Sequence, residues 1–114
     1  MLRTHPIQTN IKEEYTNMTN GEVWKLCLGD RTAQLEELKK ELAQLVIDYK
    51  KASFEEDMYA HLKENSGSQY RPTFAEKHNE SMENVDELEK KEKKLEIDIK
   101  VLEREIDYIN NLLK

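Results

Sequence analysis

The chain has 114 residues, enough for one domain, with 37% charged and 37% hydrophobic residues and only 3 Gly and 2 Pro. That balance excludes a thick globular core and suits long amphipathic helices that bury one narrow stripe and solvate the rest. A formal net charge of −6, spread along the chain, argues against nucleic acid as a partner, and no run approaches the ~18–20 apolar residues of a membrane span.

Residues 1–18 are polar and aperiodic, with His5-Pro6 opposing helix, and are expected to form a flexible N-terminal arm. Thr19-Asn20-Gly21-Glu22 has the form of a capping box and opens a short apolar helical segment over 19–29 that contains Val23, Trp24, Leu26, Cys27 and Leu28. Gly29-Asp30 is expected to interrupt or bend the helix, with Asp30 capping the next one. Over 30–65 a first heptad stripe runs Leu35, Leu38, Leu42, Leu45, Tyr49, Ala52, Tyr59, continuing from Leu28. Its spacing of three and four predicts a helix that packs along a seam.

Residues 66–73, from Ser66-Gly67-Ser68 to Pro72-Thr73, break the helical pattern and are expected to form the turn. Thr73-Phe74-Ala75-Glu76 reads as a second capping box, opening a helix over 74–114 roughly 60 Å long. Its stripe runs Val85, Leu88, Leu95, Ile99, Leu102, Ile106, Ile109, Leu113. On its exposed faces Asp86→Lys90, Glu87→Lys91, Glu89→Lys93 and Glu96→Lys100 have the spacing and orientation that favour helix. The cluster Lys90, Lys91, Lys93, Lys94 is therefore read as a solvated face.

The two stripes match when the helices run antiparallel. One register pairs Leu28 with Ile109, Leu35 with Leu102, Leu38 with Ile99, Leu42 with Leu95, Tyr49 with Leu88, Ala52 with Val85 and Tyr59 with His78, and its centre falls between Ser68 and Gln69. Two pairs are imperfect: Leu45 meets Glu92, and Arg31 meets Ile106, with the long polar chains leaning to water. The expected fold is all-α, a long antiparallel two-helix coiled-coil hairpin that belongs to a larger helical bundle. A parallel dimer of the second helix is the structural alternative, since Ile at a with Leu at d suits it.

Apolar residues also lie away from the seam. Ile97, Val101, Tyr108 and Leu112 fall about 160–220° around the second helix from Ile99 at 100° per residue, and Ile47, Phe54 and Met58 stand similarly opposite Leu42. With Trp24, which covers one stripe in cis or anchors a partner, these eight residues are the candidate partner-binding set.

No motif for catalysis or for a cofactor is found. There is no Gly-rich phosphate loop, no cysteine pair for zinc and no Glu-x-x-His of the di-iron type. Cys27 lacks a nearby His and reads as a buried small hydrophobe. His61 and His78 share one level of the register near Asp57 and Glu80, but two partly exposed histidines by a loop is preferred to a divalent-metal site. The expected function is that of a non-enzymatic structural or adaptor subunit, mediating protein–protein interaction in a multi-protein complex. Its partners are other helical subunits or further copies of itself, with neither nucleic acid nor membrane. The alternative is a self-contained homo-oligomeric helical bundle, a small regulator or scaffold. The single cysteine and the lack of an apolar leader point to an intracellular location.

Overall fold

The computed structural model describes residues 17–114, which fold into two helices, α1 (Asn20–Asn65) and α2 (Arg71–Leu113), packed against each other. Among the described residues there is no strand. The flexible arm expected over 1–18 lies, but for its last two residues, outside the described part of the chain.

The first helix begins where the capping box places it. Thr19 is extended at φ −73° and ψ 159°, and its Oγ1 accepts the Glu22 N–H at 3.1 Å and approaches Glu22 Oε1 at 3.2 Å. One exposed helix-end donor is thereby satisfied. The interruption expected at Gly29-Asp30 does not occur, and α1 is a single helix of 46 residues. A helical glycine costs only about 1 kcal/mol relative to alanine, too little to break a helix anchored on both sides. Thr32 Oγ1 donates to the Leu28 carbonyl at 2.8 Å across the glycine. Continuity carries the heptad back one step, so that Trp24 stands one turn before Leu28 on the seam side.

Ser66 ends α1 and returns its N–H to the Leu62 carbonyl at 3.0 Å. Gly67 follows with φ +92°, in the left-handed region that a Cβ disfavours, and Tyr70 N–H closes onto the Gly67 carbonyl at 3.2 Å. The second capping box is not used. The helix starts at Arg71, ahead of Thr73, with Tyr70 as an N-cap that makes no side-chain bond. Pro72 sits in the first turn, where its missing N–H removes no helical bond, so it does not block the earlier start.

Both stripes line the interface. Ala52, Ile99, Leu102 and Ile109 are buried, and the remaining stripe residues are half-buried. Arg31 Nε meets Glu105 Oε1 at 3.4 Å and the Lys77 ammonium lies 5.9 Å from the Tyr59 ring centre, each one residue from the partner the register assigns. Near the turn Tyr59 stacks on Phe74 with ring centres 6.4 Å apart. Phe74 and Ser81 extend the α2 stripe by two steps of seven ahead of Leu88. Ser81 is buried because its Oγ donates to the His78 carbonyl at 2.7 Å, which leaves no unsatisfied hydroxyl in the seam. Arg31 leans outward as expected and finds Glu105 there. With side chains 35% and 43% exposed, that pair contributes little.

Of the four charge pairs expected along α2, Glu89–Lys93 forms, at 3.3 Å. Lys94–Asp98 forms instead at 3.1 Å in the opposite orientation. The register has a direct test. Cysteines at Leu38 and Ile99, in a Cys27→Ser background, should be joined within one chain by a short bismaleimide. Crosslinks found only between chains would exclude the antiparallel pairing.

Candidate interaction surface

The seam buries little. Its buried apolar side chains are four, and among the described residues no side chain is completely enclosed. A two-helix layer has one face per helix to bury and solvent on every other side, so such thin cores are marginal.

The remaining apolar surface is on the outside. On α2, Ile97, Val101 and Leu112 are exposed off the seam, as is Tyr108 beside it, and on α1, Ile47, Phe54 and Met58 are exposed off the seam. Their exposures range from 45% at Met58 to 72% at Phe54, so the intramolecular seam covers none of them. The two sets lie on opposite edges of the hairpin, because each stands across its own helix from the seam. Leu26, also exposed, falls on the α1 edge at a multiple of seven from Ile47 and Phe54 and lengthens that stripe. Its heptad spacing is the signal that marks it. Val23, Tyr70 and Met82 are exposed as well and belong to no stripe.

Trp24 has a different position from the other seven. Its ring meets Tyr108 edge-on, with centroids 6.3 Å apart and planes at 72°. This is the arrangement that the ring quadrupole favours. Together with Arg31, Arg104, Glu105 and Ile109 the two rings line an open groove of ≈ 370 Å³ at the end of the seam away from the turn. Tyr108 nevertheless remains 61% exposed, so Trp24 braces the outer stripe without covering it.

The tip offers no assembled ligand set. Asn65 Nδ2 lies 3.3 Å from His61 Nδ1 and donates to the His61 carbonyl at 2.9 Å. The His78 ring faces the Lys63 ammonium at 3.5 Å, a positive charge that opposes a metal cation there. Among the described residues no three His, Cys, Asp or Glu side chains come together. Cys27 is half-buried, not buried as expected of a small hydrophobe, because it lies beside the seam residue Leu28 and not in the seam itself. No helix of the described residues is long and apolar enough to cross a membrane.

Comparison with protein-family models, curated protein sequences and solved structures gave no match for this chain.

Proposed function

We propose that this chain is a non-catalytic coiled-coil subunit that uses its hairpin to dock other helical chains in an intracellular multi-protein complex. The observation that carries this reading is the pair of exposed apolar edges over a core of four apolar side chains. Isolated exposed apolar residues are ordinary, but aligned stripes running along both edges mark surfaces that associate. A partner helix laid along either edge adds the layer that a two-helix sheet lacks. The intracellular placement rests on a lone cysteine with no second cysteine to pair with.

A second reading, a self-contained homo-oligomeric bundle, covers the same exposed apolar edges with further copies of the hairpin. Native mass measurement on the purified chain separates the two. The docking subunit should be a marginally stable monomer or an ill-defined aggregate when alone and form a defined complex with its partner. A discrete, cooperatively melting oligomer would establish the self-assembled bundle instead.

A further inference from the structure

We infer that the outer edge of α2 receives an acidic amphipathic helix from another protein. The inference deepens the docking reading and rests on it. Ile97 stands opposite the seam, and at 100° per residue the side chains within about 60° of it between 90 and 112 can be enumerated. The apolar ones are Ile97, Val101, Tyr108 and Leu112, and the charged ones are Lys90, Lys93, Lys94, Lys100 and Arg104. No Asp or Glu falls in this sector, although the chain as a whole carries a net charge of −6. The carboxylates of this stretch lie outside it, with Glu96, Asp98, Glu103, Glu105 and Asp107 about 80–120° from Ile97 on the flanks and Glu92 about 140° away beside the seam. Lys93 and Lys94 are partly answered by Glu89 and Asp98 at those flanks. Lys90, Lys100 and Arg104 make no ion pair among the described residues, so their charge is available to a partner.

This distribution selects the occupant. A second copy docking through the same edge would set cations against cations, which costs affinity and slows encounter. An anionic bilayer offers the right sign, but a plane reaches past the sector to the flanking carboxylates and the acidic remainder of the hairpin. A helix is only about 10–12 Å across and stays within the sector. A helical partner with its own apolar stripe bordered by Glu or Asp satisfies both parts of the edge. The α1 edge has a related composition, with Lys50 and Lys51 beside Ile47, Phe54 and Met58, and with Lys40 paired to Glu37 at 3.6 Å.

The full chain should be titrated with two designed helical peptides of about 25 residues, each carrying one leucine stripe, flanked by Glu in the first and by Lys in the second. The Glu-flanked peptide should bind about tenfold tighter, and raising the salt should erase the preference. The variant Lys90→Glu/Lys100→Glu/Arg104→Glu should keep its helicity and reverse the order of the two peptides. Equal affinity for both peptides, binding of neither, or an unchanged order in the triple variant would overturn the inference. So would binding to phosphatidylcholine–phosphatidylserine vesicles without a peptide preference. Should Val101→Glu/Tyr108→Glu abolish assembly while the triple variant assembles like the parent, the docking reading stands and the acidic partner does not.

Discussion

Ile109→Ala should leave the isolated hairpin largely unfolded. Ile109 is 2% exposed, one of four buried apolar side chains among the described residues, and it lies on α2 where the register sets Leu28 against it. Truncating a buried isoleucine to alanine removes about 2–5 kcal/mol, through lost transfer free energy and the cavity left behind. An ordinary domain has about 5–15 kcal/mol in total, and a two-helix layer with so little enclosed surface lies at or below the low end of that range. The neighbouring seam cannot compensate by collapse, because most of its other side chains are already half in water. Circular dichroism at 222 nm during thermal melting is the measurement. Ile97→Ala, at a site 61% exposed, serves as the control and should shift stability by less than about 0.5 kcal/mol. If Ile109→Ala melts like the parent, the seam is not what holds the hairpin together.

Val101→Glu/Tyr108→Glu should leave the hairpin helical and abolish its assembly. Both side chains are exposed in the hairpin, at 49% and 61%, so glutamates there remain hydrated. In an interface two carboxylates would have to be stripped of water against an apolar surface, at a cost of several kcal/mol. The stripe they replace contributes about 25 cal/mol per Å² of apolar area when covered, before the entropy of association is subtracted. Tyr108 also meets Trp24, and losing that contact removes about 0.5–1.5 kcal/mol. Val101→Glu alone, which spares the aromatic pair, should therefore melt like the parent and still weaken assembly. Native mass or partner capture gives the second readout. An assembled double variant would reduce the edge to ordinary surface, and a loss of helicity in Val101→Glu alone would favour the self-assembled bundle.

The hairpin was legible because leucine and isoleucine recur at three- and four-residue steps on both sides of a Gly- and Pro-bearing gap. The outer stripes were legible by the same arithmetic, taken half a turn away. What the sequence did not disclose involves small free energies or local rearrangement. Gly29-Asp30 looks like a break only if a helical glycine is given more weight than the roughly forty neighbours that keep α1 continuous. Thr73-Phe74-Ala75-Glu76 has the letters of a capping box, yet the turn closed by Gly67 delivers the chain into helix before Thr73 is reached. Ser81 interrupts the apolar pattern and hides the start of the α2 stripe, although its hydroxyl is satisfied within its own helix. Surface charge pairs are the least legible of all. They are worth only tenths of a kcal/mol, too little to fix which lysine meets which carboxylate.

The reversal at Gly67 brings Asn20 and Leu113 to one pole and leaves the turn at the other, and this gives the molecule a direction under load. Tension that parts the two helices at the open pole strains the Trp24–Tyr108 and Arg31–Glu105 contacts first and then opens the seam one layer after another, so the resisting force stays small. Tension applied along the axis, between the turn and the open pole, runs through the backbones of α1 and α2 side by side, because both helices join at the turn, and leaves the seam unloaded. The seam thus governs only the opening from the free pole, where it yields as a zipper, and pull along the length is left to the helices themselves.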